Sequence, residues 1–163
     1  VLTNTWAWPL NHRPLVRFFS GVMGTPVGRL LTERANAFAR IVTPLMLGQD
    51  APAWPRWLNT YAEALDTPVR RHACWTFARS LIRETPWLRA LGSRRARLRT
   101  RPALLCWGMD DPAFGVEPAL RRWQSLFADP QVCRWAGVGH YVPEDAGPAP
   151  AARLQPFLRP PAP

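Results

Sequence analysis

The chain has 163 residues, 47% of them hydrophobic, enough for one domain with its own core or for a piece of a larger one. Its formal net charge is +10 with every basic residue an arginine; the arginines are spread along the chain, with one dense run at Arg94, Arg95, Arg97, Arg99 and Arg101 that reads as a solvated helix end, so nucleic acid is not the expected partner. No apolar run approaches the ~18–20 residues of a membrane span, which excludes a transmembrane helix, and Cys74, Cys106 and Cys133 fall in no zinc-binding spacing, reading instead as free thiols of a cytoplasmic protein.

Val1 to Thr5 is strand-like until Pro9 and Asn11 break it. The chain opens on Val1 rather than Met and already in a strand, as a fragment would. Trp6 and Trp8 alternate around Ala7 just past that strand, placed to pack a core or to line an apolar pocket. Residues 13–47 read as helical: Leu15, Phe18, Phe19 and Val22 recur at helical spacing, as do Phe38, Ile41, Val42 and Leu45. Gly21, Gly24, Pro26 and Gly28 divide this stretch, Pro44 should kink or end its second part, and Gly48 is a plausible stop. Between 49 and 68, Pro52, Pro55 and Pro68 keep the helices short, with Trp54, Trp57, Leu58, Tyr61 and Leu65 on one stripe. Thr67-Pro68 looks like a helix start, N-cap then first position, and Thr85-Pro86 like another. His72 has no partner motif and reads as a surface or boundary histidine.

From Pro102 the pattern changes. Ala103-Leu104-Leu105-Cys106-Trp107 is a short apolar run without alternation, as in a strand buried on both faces of a parallel sheet. It ends at Gly108, followed by Met109, Asp110, Asp111 and Pro112. A helix from Pro118 to Phe127 presents Leu120, Trp123 and Phe127 inward. Asp129-Pro130 turns the chain into a second strand, Gln131 to Trp135, and Gly137 to Tyr141 forms the loop after it. A last helix runs from Pro148 to Leu158. Strand, helix and strand at this spacing make a parallel pair, so both loops emerge on one edge of the sheet. That edge then carries a carboxylate (Asp110 or Asp111) and His140. A carboxylate that holds an imidazole through its Nδ1–H, with Nε2 free, is the orienting half of a nucleophile–His–acid triad. The plainer alternative has Asp111 capping the next helix and His140 making a loop hydrogen bond.

Trp107-Gly108-Met109-Asp110-Asp111-Pro112-Ala113-Phe114, then Gly137-Val138-Gly139-His140-Tyr141-Val142-Pro143-Glu144-Asp145, then Phe157-Leu158, resembles the carboxyl-terminal part of an α/β-hydrolase, most closely the haloalkane dehalogenases and their relatives. In that family the first loop supplies the triad acid and the second the histidine. Residue by residue, the resemblance implies Asp111 as the acid and His140 as the base, with Glu144 and Asp145 matching an acidic pair beyond the histidine. Asn4-Thr5-Trp6-Ala7-Trp8-Pro9 resembles the end of the family's sixth strand. The implied architecture is α/β: residues 1–9 enter the sheet of the hydrolase core, 10–100 form a helical cap, and 101–163 form the carboxyl-terminal part of the core, with the last ~3 parallel strands of the fold.

The departure is at the nucleophile. Neither the Gly-x-Ser-x-Gly elbow of esterases nor the Asp-bearing turn of dehalogenases occurs in the chain. The resemblance therefore implies a carbon–halogen hydrolase whose nucleophile lies upstream of this segment, and a chain that by itself is inactive. It implies a small apolar substrate such as a haloalkane, held by tryptophan indoles for which Trp75, Trp6 and Trp8 are the candidates. No cofactor, metal or membrane partner is expected, and nothing in the sequence sets an oligomeric state. An esterase or epoxide hydrolase of the same fold, with a different nucleophile, is the alternative. A non-enzymatic Arg-rich binding module is a third reading, and it predicts salt-sensitive nucleic-acid binding.

Overall fold

Three parallel strands carry the sheet in a computed structural model, which describes residues 1–48, 54–113 and 116–159 and leaves aside the side chains of 54–57. They are β1 (Leu2–Thr3), β2 (Ala103–Gly108) and β3 (Pro130–Trp135), in the order β1-β2-β3. Leu2 lies opposite Leu105, and Cys106 opposite Cys133. β2 has a strand on each side, and α7 (Val116–Gln124), α8 (Val142–Asp145) and α9 (Ala149–Leu158) all pack against it. That is why all six of its residues are buried and why its sequence shows no alternation. The chain divides into two compact units. One comprises Val1–Trp6, Met46–Pro52 and Arg95–Pro163, and the other Ala7–Leu45 and Ala53–Arg94.

In the sheet-bearing unit, the first strand is shorter than the expected Val1 to Thr5. Asn4 adopts a left-handed φ of 31° and takes the backbone out of the extended region, so pairing stops at Thr3. The helix expected from Pro118 begins at Val116 and ends at Gln124. Phe127 lies beyond its end yet is buried, stacked on Trp123 with ring centroids 6.4 Å apart. The Trp123 indole donates from Nε1 to the Thr5 carbonyl at 2.7 Å, tying this helix to the exit of β1. The arginine run forms a short 3₁₀ turn over Arg95–Leu98, and Arg94, Arg97, Arg99 and Arg101 are exposed.

The other unit is helical: α1 (Pro14–Met23), α2 (Pro26–Ala35), α4 (Trp54–Ala64), α5 (Pro68–Arg83) and α6 (Thr85–Gly92). Proline at a first helical position costs nothing, because that N–H has no intrahelical partner, and Pro14, Pro26 and Pro68 all occupy it. Thr67 caps α5 by accepting from Arg70 N–H at 3.3 Å, and Thr25 caps α2 by accepting from Gly28 N–H at 3.1 Å. Gly21 and Gly28 are accommodated inside α1 and α2, while Gly24 ends α1. The stripe Leu15, Phe18 and Val22 is helical but faces outward; the buried residues of α1 are Val16 and Ser20. Of the stripe expected on α4, Trp54 and Trp57 have side chains outside the described residues, as does all of Pro52.

Pro44 neither ends nor sharply breaks its segment. Residues Phe38–Val42 widen into a π turn, closed by Thr43 N–H to the Phe38 carbonyl, and α3 (Thr43–Met46) continues from it. A proline ring clashes with the carbonyl four residues earlier, and one wider turn relieves that clash without ending the helix. His72 also has a partner that its surroundings in sequence did not reveal. Its Nδ1 is 2.7 Å from Glu33 Oε1 of α2. The hydrogen bond from His72, then that from Arg29, holds the Glu33 carboxyl below the usual carboxylate range. Arg71 beside it donates to the carbonyls of Glu33, Leu65 and Asp66, binding the end of α2 to the start of α5.

Leu105 is completely buried at the centre of β2. Leu105→Ala should lower stability by about 2–5 kcal/mol, read from urea denaturation. Burial and the neighbouring Cys133 push the Cys106 thiol up to about 11. Cys106 should therefore resist a thiol-reactive disulfide reagent at pH 8 in the folded chain and react only on unfolding.

Candidate active site at the carboxyl edge of the sheet

β2 ends at Gly108 and the backbone pairing with the next loop continues past it. Met109 N–H donates to the Trp135 carbonyl and Asp110 N–H to the Val138 carbonyl, both at 2.9 Å. These bonds pin the first loop on the second before either has delivered its functional side chain. Asp111 follows with its side chain only 1% exposed, and its two oxygens have separate tasks. Oδ1 accepts the Ala113 N–H at 2.7 Å, a bond within the turn ahead of α7 rather than the helix cap of the plainer reading, and Oδ2 lies 3.0 Å from His140 Nδ1. The carboxylate thus caps the turn and meets the imidazole at once. Asp110 is exposed and is not the residue that reaches His140. His140 keeps a quarter of its side chain open to solvent, and its ring stands edge-on to Tyr141 at 5.5 Å.

Asn4 completes this edge, and it escaped attention in the sequence. Its Oδ1 accepts the Gly108 N–H at 2.9 Å, and its Nδ2 donates to the Gly139 carbonyl at 2.7 Å. One amide at the end of β1 therefore bridges the end of β2 and the histidine loop. Gly108 is glycine for a related reason: a Cβ there would run into the carbonyls of Val138 and Gly139. The signal for Asn4 was present in one form, as an Asn near the end of a strand-like run, since Asn tolerates the left-handed backbone found there.

The three candidate tryptophans fall in both units. Trp6 is half-buried in the sheet-bearing unit, whereas Trp8 (5% exposed) and Trp75 belong to the helical unit. Trp75 lies under two guanidinium groups, those of Arg79 at 4.3 Å and Arg29 at 5.1 Å, with the His72 ring 5.1 Å away. Its buried Nε1 has no hydrogen-bond partner among the described residues. No group of three or more metal-ligating side chains occurs among the described residues.

A buried carboxylate bonded to a histidine thus stands on loops at the carboxyl ends of neighbouring parallel strands, in an α/β fold that matches about half of each haloalkane dehalogenase structure it superposes on. The likeness is to haloalkane dehalogenases. The chain is 28% identical over 147 residues to proteins named haloalkane dehalogenase 2 from Mycobacterium tuberculosis and Mycobacterium bovis, an alignment covering 90% of this chain and 50% of each relative. It thus spans about half the length of the curated relatives it matches. Among solved structures, the crystal structure of the protein DBJA superposes with a TM-score of 0.69 at 24% identity, covering 93% of this chain and 54% of that one. The haloalkane dehalogenase DbeA from Bradyrhizobium elkani superposes with a TM-score of 0.67 at 22% identity, covering 90% and 53%. No family model matches the chain.

The pairing makes a prediction about the imidazole. Neutral His140 should carry its proton on Nδ1, bonded to Asp111, and Asp111→Ala should return it to the Nε2–H form. Nitrogen chemical shifts of ¹⁵N-histidine report the tautomer directly, and an Nε2–H form in the unsubstituted chain would show that the pair is not made.

Proposed function

We propose that this chain is the carboxyl-terminal part of a hydrolase that cleaves carbon–halogen bonds, with His140 as general base and Asp111 as the acid that orients it. The observation that carries the reading is the 3.0 Å contact between Asp111 Oδ2 and His140 Nδ1 at the carboxyl edge of a parallel sheet. The likeness to haloalkane dehalogenases supports the substrate class. The nucleophile is an aspartate outside these 163 residues, because no elbow motif lies within them and the chain matches half of its relatives. Residues 10–100 serve as the cap, and the helical make-up of most of them, in Ala7–Leu45 and Ala53–Arg94, supports that role. The substrate is a small haloalkane, and the indoles of Trp75, Trp6 and Trp8 are the proposed pocket and halide donors. The buried, unpartnered Nε1 of Trp75 supports its inclusion.

The reaction then has two steps. The upstream carboxylate attacks the sp³ carbon, the carbon–halogen bond breaks, and halide leaves behind an alkyl-enzyme ester. His140 Nε2 next takes a proton from water as the oxygen adds to the ester carbonyl. Asp111 stabilises the imidazolium so formed. The imidazolium returns the proton to the departing alkoxide, which leaves as the alcohol, and the carboxylic acid ionises to restore the nucleophile. Asp111 needs no proton of its own in this cycle.

The longest polypeptide encoded around these residues should release bromide from a short bromoalkane in a halide assay, and this chain alone should release none. His140→Gln in the longer protein should release about one halide per protein and then stall, because only the second step needs the base. Hydrolysis of a nitrophenyl ester without any halide release would replace this reading with an esterase.

A further inference from the structure

The loop that carries His140 is held from a second side by a group that the proposed reaction does not use. Gly139 has both backbone groups engaged: its carbonyl accepts from Asn4 Nδ2, and its N–H donates to Asp145 Oδ2 at 2.8 Å. The same Oδ2 accepts the N–H of Gly48 at 2.7 Å. The next residue along, His140 itself, donates its N–H to the Met46 carbonyl at 2.7 Å. Two stretches remote in sequence, 46–48 and 137–140, therefore lie backbone against backbone. A Cβ on Gly139 would run into Met46, Leu47 and Gly48, and a Cβ on Gly48 would run into Gly137 and Gly139. With no room for side chains between them, hydrogen bonds alone can fix their register, and one carboxylate oxygen supplies two of the three.

Asp145 is buried, although it lies in the single turn of α8. Its other oxygen has no hydrogen-bond partner among the described residues. The two N–H bonds, strengthened by the charge, are what offset its burial.

We infer that Asp145 is a positioning residue for His140: by joining Gly139 to Gly48 it sets the depth at which the imidazole stands and so holds Nδ1 against Asp111. The inference rests on the reading of His140 as the base. Asparagine can place its carbonyl oxygen where Oδ2 stands and accept both N–H groups, whereas alanine can accept neither.

The chain contains three histidines, so ¹⁵N-histidine labelling yields three imidazoles, and His140 is assigned by the signal missing in His140→Gln. In Asp145→Ala the Nδ1–H form of His140 should be lost while circular dichroism and tryptophan fluorescence still report a folded chain. In Asp145→Asn it should be kept. Should Asp145→Ala fail to fold, Asp145→Ser takes its place, because its hydroxyl is too short to reach both donors. A folded alanine or serine variant with the unsubstituted His140 spectrum overturns the inference, as does an asparagine variant that loses the Nδ1–H form. In the longer protein Asp145→Ala should lower kcat about 10–100-fold with KM nearly unchanged, and Asp145→Asn should restore most of it. The imidazole spectrum needs no substrate. If no halide is released but Asp145→Ala still disturbs His140, the hydrolase reading falls and the positioning stands. If halide is released and the spectrum is unmoved, the reverse holds.

Discussion

The side-chain amide of Asn4 is the point on which the sheet edge depends. Three segments from distant parts of the chain end there: the exit of β1, the exit of β2 at Gly108 and the loop at Gly139. An amide suits the position because it donates and accepts through one rigid plane, so a backbone N–H on one side and a carbonyl on the other are satisfied together. A carboxylate there would have no hydrogen to give to Gly139. Buried backbone groups left without partners cost roughly 1–3 kcal/mol each, so the bridge also accounts for polar groups that the converging strand ends leave outside the ladder.

Much of this architecture could be read from local pattern. β2 was legible because a strand buried on both faces leaves an uninterrupted apolar run. The start of α5 was legible because threonine followed by proline carries its capping chemistry in two adjacent residues. The choice of Asp111 over Asp110 was legible only through the spacing shared with hydrolases, and periodicity alone does not separate them. What stayed hidden was of another kind. Asn4 acts at separations of 104 and 135 residues, Asp145 on Gly48 at 97, and His72 on Glu33 at 39. No local pattern at either end names the partner in any of these pairs. The outward stripe of α1 misled for the opposite reason: helical periodicity reports that an apolar face exists and not what covers it.

The two compact units differ in how they use arginine. In the helical unit Arg71 spends its guanidinium on backbone carbonyls at helix junctions, and Arg29 and Arg79 lie over an indole. Both uses depend on a planar group with several donors and weak hydration, which lysine does not offer. In the sheet-bearing unit the arginines from Arg95 to Arg101 are mostly exposed, and burial of Arg95 beside Arg122 pulls its guanidinium below the ordinary value. A chain with only arginine as its cation therefore uses part of that charge as internal hydrogen-bonding structure, and the formal charge overstates what its surface offers to an anionic partner.

The divided carboxylate of Asp111 has a further meaning. One oxygen is bound to the Ala113 N–H of its own turn and the other to the imidazole, so rotation of the group about its own axis would break a backbone bond in order to release the histidine. The torsional freedom that the two side chains would otherwise lose in meeting is already gone when the chain folds. The ordering is then incurred once, in a scaffold stabilised by a buried strand.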